Sequence, residues 1–123
     1  MKVKLSLLFS LLMFMAFSTF AQQQFQQRTV EERVKDVIEK MKTPLGLDDA
    51  QLQKTDSVYT DFYKAQDKMR EAARASGERP DRSVFEKAMT DRDEKLKAIF
   101  TKDQFDKFKK EVEATLRPQR RTN

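Results

Sequence analysis

From residue 29 onward, apolar side chains recur at steps of three and four residues, the spacing that places them along one face of an α-helix. Only two glycines and three prolines occur among the 123 residues, so the chain is poor in residues that interrupt helices. No stretch alternates with period two for long enough to predict a strand. The pattern therefore predicts an all-α fold of four helices, two of them long, that forms an elongated helical hairpin.

Capping signals place the ends of these helices. Thr29, Asp48 and Thr101 are each followed three residues later by Glu or Gln, the spacing of a capping box. The first helix is expected to stop within residues 43–46, because Pro44 disfavours helix in the residue before it. The predicted helices begin at residues 29, 48, 81 and 101, and the last three extend to about residues 75, 99 and 116.

The residue types that are missing limit the chemistry. The sequence contains no His and no Cys, which removes an imidazole base, a thiol nucleophile, the soft-metal ligands and any disulfide. The acidic pairs Asp48-Asp49 and Asp91/Asp93 lack the longer oxygen series and the glycine of a calcium loop. No glycine-rich loop or nucleophile accompanies a carboxylate pair. The sequence predicts no enzymatic activity, no metal and no cofactor.

The first 21 residues have the pattern of a secretory signal peptide. Lys2 and Lys4 precede an apolar run over residues 5–20, and Ala21 comes directly before a glutamine tract. Cleavage is expected after Ala21, with a cut after Ser18 as an alternative. A second alternative is an uncleaved membrane anchor, although sixteen apolar residues fall just short of the roughly 17–25 that span a bilayer.

Export to the periplasm would determine which partners are available. Nucleotides are absent there, so an ATP-driven machine is not expected, and neither is a nucleic-acid partner. Removing Lys2 and Lys4 lowers the formal net charge from +5 to +3, and no stable membrane insertion is expected after cleavage.

The basic end around residues 107–121 either touches anionic lipid headgroups or is a soluble, frayed end. The remaining organisation is a disordered Gln-rich tail at 22–28, a helical domain at 29–117 and a flexible basic tail at 118–123.

Two helix starts repeat one pattern: an apolar residue, a cap, two variable residues and Gln. The pattern occurs as Leu47-Asp48-Asp49-Ala50-Gln51 and again, 53 residues later, as Phe100-Thr101-Lys102-Asp103-Gln104. In each copy the apolar residue can be buried before the cap, and the cap and the Gln can exchange hydrogen bonds with the backbone. A structural role in helix capping is expected for the six motif residues, which are Leu47, Asp48, Gln51, Phe100, Thr101 and Gln104.

Two such copies in an exported, all-helical chain resemble the LTxxQ-motif family of periplasmic proteins typified by Spy and CpxP. The first copy has Asp in place of Thr, and the second has Phe in place of Leu; both exchanges preserve capping and burial. The resemblance implies an antiparallel, cradle-shaped homodimer that acts as an ATP-independent chaperone for unfolded or partly folded envelope proteins. The alternative that it implies is a CpxP-like adaptor that restrains the periplasmic domain of an envelope-stress sensor kinase. A helical protein without any client is a third possibility.

A mixed apolar and basic surface would suit a weak, broad grip on clients. Arginines lie close in sequence to aromatic and methionine side chains on the second and third helices, and the alternative is a solvated face on which nearby acids neutralise them. A dimer seam is expected on the second helix, including Tyr59, Phe62 and Met69. The candidate client-binding residues are Tyr63, Met69, Arg70, Arg74, Arg82, Phe85 and Met89.

Overall fold

The computed structural model describes residues 28–117, which are helical and contain no strand. The predicted signal peptide, nearly all of the Gln-rich tail and the basic tail lie outside the described residues. Four helices follow in chain order, as the apolar periodicity predicts. They are α1 (Val30–Leu45), α2 (Asp49–Ser76), α3 (Arg82–Ile99) and α4, which runs through three consecutive parts, Lys102–Lys107, Phe108–Val112 and Glu113–Leu116.

The α1 helix ends for a different reason from the one that the sequence suggested. The helix continues through Thr43 and Pro44 to Leu45, and Gly46 then adopts the left-handed conformation with φ at +60°. The amides of Gly46 and Leu47 donate to the carbonyls of Thr43 and Lys42, the two bonds of a Schellman motif. Neither bond needs the N–H that Pro44 lacks. The helix therefore ends within residues 43–46 as expected, but Gly46 and not Pro44 ends it.

The other helix ends follow the local capping signals. The α2 helix ends at Gly77, which is also left-handed. Asp81 accepts a hydrogen bond from the amide of Ser83 at the start of α3. Phe100 is extended and separates α3 from α4.

The middle part of α4, Phe108–Val112, is a π-helix. The amide of Glu113 donates to the carbonyl of Phe108, five residues earlier, so one extra residue is accommodated in this turn. Phe108 and Val112 are both buried on its inner side. The apolar spacing of the sequence did not predict this wider turn.

The core lies at one end of the molecule, where α2 packs against α1 and α3 and where the π-helical part of α4 packs against α1. The buried residues of α2 are all in its first half, and those of α3 are all in its second half. The distal segment, residues 63–91, contains no buried residue. The buried apolar side chains are Val34, Val37, Met41, Leu45, Leu47, Val58, Tyr59, Phe62, Leu96, Phe100, Phe108 and Val112.

One sequence expectation about α2 is corrected by this arrangement. Tyr59 and Phe62 are buried by contacts within the chain, because they pack beside Phe108 and Arg92, so they cannot form a seam with a second copy. Met69 is half-buried.

Within residues 28–117, no helix is both long and apolar enough to cross a membrane.

Candidate functional site

A broad groove of about 1190 Å³ opens on the face shared by α1, α2, α3 and the end of α4. Buried side chains of Val37, Tyr59 and Phe62 contribute to its lining. Four half-buried apolar side chains lie around them, each packed on one side against the core. These four are Tyr63, Phe85, Met89 and Leu116.

The groove is also lined by more basic than acidic side chains. Asp36 and Glu113 are its two acids, and both are in ion pairs: Asp36 with Lys40 at 2.9 Å, and Glu113 with Arg92 at 3.0 Å. With both acids paired, the lining keeps an excess of positive charge. The six basic residues of the lining are Arg28, Arg33, Lys40, Arg70, Arg92 and Arg117.

Arg92 is the centre of a buried charge network, with only 7% of its surface exposed. Its guanidinium donates to Asp93 at 2.7 Å and to Glu113 at 3.0 Å, and Lys109 reaches both carboxylates at 2.8 and 2.7 Å. The guanidinium carbon also lies 4.9 Å from the centre of the Phe62 ring. Full pairing is what makes burial of this charge tolerable.

The network shifts the pKa values of its members in opposite directions. Burial alone would raise the pKa of Asp93, but hydrogen bonds from Lys109 and Arg92 outweigh burial and hold that pKa below its ordinary value. Burial would lower the pKa of Lys109, and hydrogen bonds to Asp93 and Glu113 instead raise it. Asp93 and Lys109 therefore stay charged at neutral pH.

Two hydrogen-bond donors beneath the groove have no partner among residues 28–117. They are the hydroxyl of Tyr59, whose side chain is 1% exposed, and Nε of Arg33. Burial raises the pKa of the Tyr59 hydroxyl, so it stays protonated. The Tyr63 ring connects the two: it lies 5.8 Å from the Tyr59 ring, and the Arg33 guanidinium sits 4.7 Å from its centre. Another nitrogen of Arg33 is paired with Asp67.

The two copies of the repeated motif meet in space. In each copy the cap accepts from the third helical amide while the Gln accepts from the amide of the cap, which completes a capping box. Gln51 then donates to the side chain of Gln104 at 2.7 Å and to the carbonyl of Ile99 at 3.1 Å. Gln104 in turn donates to the carbonyl of Leu45 at 3.1 Å. The motif residues Leu47 and Phe100 are buried next to this pair of glutamines, which we call the Gln clasp.

The clasp is a tertiary link as well as a pair of local caps. It joins the start of α2 to the start of α4. The amide groups of its two glutamines also donate hydrogen bonds to the last carbonyls of α1 and α3. Those carbonyls belong to the group that a helix end leaves without an intrahelical partner. Within the described part of the chain, no cluster of three acidic, His or Cys side chains is placed to hold a metal ion.

A family model described as "Domain of unknown function (DUF4890)" matches residues 21–108 of the chain. The chain belongs to this family. No curated protein matches it, and no solved structure does. The DUF4890 region holds both motif copies and most of the groove, whereas Glu113, Leu116 and Arg117 lie beyond it.

Within this DUF4890 chain, the candidate client-binding residues fall into three groups. Tyr63, Arg70, Phe85 and Met89 line the groove. Arg74 lies with Arg70 on a smaller hollow of about 360 Å³ beside Gly77. Met69 and Arg82 line neither cavity.

Arg82 is an exposed residue that pairs with Glu86 at 2.7 Å. The structure therefore brings four of the seven together in the groove and places the other three outside its lining.

Sequence reasoning did not single out Arg33 and Arg92 as site residues. Both lie on the apolar stripe of their helices: Arg33 is three residues after Val30, and Arg92 is four residues before Leu96. A basic residue at such a position is a signal of a buried or groove-lining charge. Arg28 and Arg117 give no such signal, because each lies outside the regular helices.

Proposed function

We propose that this protein is an exported, ATP-independent chaperone that binds unfolded or partly folded proteins of the cell envelope. The groove carries the proposal. Its volume of about 1190 Å³ exceeds the roughly 300–1,000 Å³ of a typical small-molecule pocket. Its mixture of aromatic, methionine and arginine side chains matches surfaces that accommodate many partners.

Three further observations support the proposal. The first 21 residues have the pattern of a signal peptide, and the family match begins at residue 21. Both motif copies resemble those of the Spy and CpxP family. The apolar groups of the groove are half-buried against the core, so their positions are held while one side of each remains available to a client.

We further propose that two copies associate through their distal segments to form an antiparallel, cradle-like dimer. This segment contains no buried residue, and Val84 within it is 49% exposed. A second copy laid along the side that carries Val84, which does not line the groove, would shield apolar surface that a single chain leaves open to water. Light scattering at micromolar concentration should then give about twice the mass of the mature chain.

Val84→Glu should shift this equilibrium toward the monomer. Ala98→Glu is the matched control, because Ala98 is an exposed apolar residue of the same helix outside the distal segment. A mature chain that is monomeric at this concentration, or a Val84→Glu variant that stays dimeric, would exclude this interface.

The chaperone proposal is tested by the aggregation of an unrelated, chemically denatured protein diluted into buffer without ATP. Substoichiometric to equimolar amounts of the mature protein should suppress light scattering by the client. Phe85→Ser should weaken protection because Phe85 supplies apolar surface inside the groove. Absence of protection for several clients, together with tight binding to one folded receptor domain, would favour the signalling adaptor instead.

Arg70 and Arg74 form a matched pair for the role of charge in client capture. They lie one turn apart on α2 and both are exposed, but only Arg70 lines the groove. Arg70→Glu should slow capture of an unfolded client in stopped-flow measurements, and Arg74→Glu should have the smaller effect. Raising salt should slow capture by the unaltered protein, because exposed charges are screened beyond ~8–10 Å at ~0.1–0.15 M. Capture that is indifferent to both changes would remove the arginines from the mechanism.

A further inference from the structure

We infer that the groove contains a carboxylate-recognition point formed by the hydroxyl of Tyr59 and Nε of Arg33. The client segments that it prefers would then carry Asp or Glu next to apolar residues. This inference rests on the proposed function, because it specifies the substrate class of the same groove. It concerns which clients bind best, and a chaperone without this preference would remain a chaperone.

The two unpartnered donors are the first argument. A buried donor without an acceptor is unfavourable, and native proteins contain few of them. Here two occur on residues that both pack against one ring, Tyr63, and all three residues line the same groove. Both groups can donate, so the ligand atom that completes them must be an acceptor.

The charge of the groove decides which kind of acceptor fits. Its lining holds six basic and two acidic side chains, and the excess stays positive when Asp67 and Asp93, which pair with its arginines, are added. An ionised carboxylate gains more from such surroundings than a neutral carbonyl, because hydrogen bonds to charged acceptors are shorter and stronger. The apolar part of the lining then favours a carboxylate with hydrophobic neighbours.

The occupant is most simply a segment of another protein. Residues 22–27 and 118–123, which flank the described region, contain no Asp or Glu, so their side chains cannot supply the carboxylate. The groove spans four helices and mixes charged with apolar side chains along its lining, which suits a peptide segment of several residues better than a single acyl chain. A peptide with alternating acidic and apolar residues complements both halves of the lining.

The experiment compares two fluorescein-labelled peptides of the same Leu- and Phe-containing sequence, one with Glu and one with Gln at four matched positions. Binding to the mature protein is followed by anisotropy at low salt. We expect the Glu peptide to bind at least about tenfold more tightly, the size of effect that one charge-assisted hydrogen bond gives. Tyr59→Phe should reduce that ratio severalfold and change the affinity for the Gln peptide little. Its melting temperature should stay unchanged or rise, since the variant removes an unpartnered hydroxyl.

Two control variants separate this point from the general charge of the groove. Arg79→Lys makes an Arg-to-Lys exchange at an exposed arginine that lines neither cavity, and it should leave the Glu-to-Gln ratio unchanged. Arg33→Lys keeps the positive charge beside Asp67 but removes Nε, and it should lower the ratio as Tyr59→Phe does.

Equal affinity for both peptides, or a ratio that Tyr59→Phe and Arg33→Lys leave intact, would overturn the inference. Oleate that displaces the Glu peptide at equal concentration would overturn the choice of a peptide as occupant. If either peptide binds and client aggregation is suppressed while the ratio is one, the proposed function stands and only the preference for acids is lost. If neither peptide binds and no client is protected, the proposed function itself has failed.

Discussion

The Gln clasp allows a stability prediction whose size follows from counted hydrogen bonds. Gln104→Ala removes three hydrogen bonds of 3.1 Å or shorter: from the Thr101 amide at 2.9 Å, from the Gln51 side chain at 2.7 Å, and to the Leu45 carbonyl at 3.1 Å. It also removes two weaker contacts at 3.4 Å, to the Gly46 carbonyl and the Gln51 side chain. At about 1 kcal/mol net for each bond, the free energy of unfolding should fall by about 3 kcal/mol. That is a large share of the ~5–15 kcal/mol typical of a domain.

Glu32→Ala is the matched control, because Glu32 occupies the same position in the capping box of α1 but has no tertiary partner in the clasp. It gives up one hydrogen bond, from the amide of Thr29 at 3.0 Å, and should cost about 1 kcal/mol. Gln51→Ala should resemble Gln104→Ala. Because the two glutamines share a bond, the double variant should cost about 1 kcal/mol less than the sum of the single ones.

The assay is urea unfolding followed by far-UV circular dichroism at one fixed protein concentration, with slopes compared to verify that the same surface is exposed. If Gln104→Ala costs no more than Glu32→Ala, or if the double variant is strictly additive, the clasp contributes nothing beyond local capping. The folded fraction of each variant should still protect clients. A variant that kept its melting temperature and lost protection would make the motif a binding site.

Three further predictions concern the buried charges and the turn after α1. Glu113→Gln leaves Arg92 with Asp93 as its remaining carboxylate and should cost about 2 kcal/mol in urea unfolding, whereas Glu86→Gln on the exposed surface should cost much less. The pKa of Asp93 is lower in the folded protein than the unperturbed value of 3.8. The stabilisation by the Asp93 carboxylate is therefore complete above about pH 4 and is lost as the pH falls through the folded pKa. The free energy of unfolding measured from pH 6 to 2 should show this loss, and Asp93→Asn should make the loss smaller. Gly46→Ala should lower the free energy of unfolding by about 1 kcal/mol because φ is +60°, and the cost comes from backbone conformation alone because an added Cβ meets no atom within 4 Å. An unchanged urea midpoint would show that this conformation is not needed.

Much of the helical architecture of residues 28–117 could be predicted from the sequence. Three of the predicted caps, at Thr29, Asp48 and Thr101, are complete capping boxes in the structure. This is possible because the hydrogen bonds of a cap connect residues only three apart, so the sequence contains both partners. The left-handed Gly77 and the extended Phe100 also end their helices through the conformation of a single residue. Pro44 was the misleading signal, because the Schellman bonds of Gly46 and Leu47 decided where α1 ends.

Contacts between different helices could not be predicted from these local sequence patterns. The spacing of 53 residues between Gln51 and Gln104 does not tell whether their side chains meet. The position of Arg92 on an apolar stripe does not tell which carboxylates it pairs with. Tyr59 and Phe62 were placed on a dimer seam because periodicity shows which face of a helix is apolar and not what covers that face.

The local pattern of this chain thus determines its helices and their caps, because those depend on neighbours a few residues away. The tertiary structure alone decides which apolar faces are covered, which charges become buried and paired, and which donors remain without an acceptor beneath the groove. Those outcomes depend on how whole helices pack, and packing joins residues that the sequence leaves far apart.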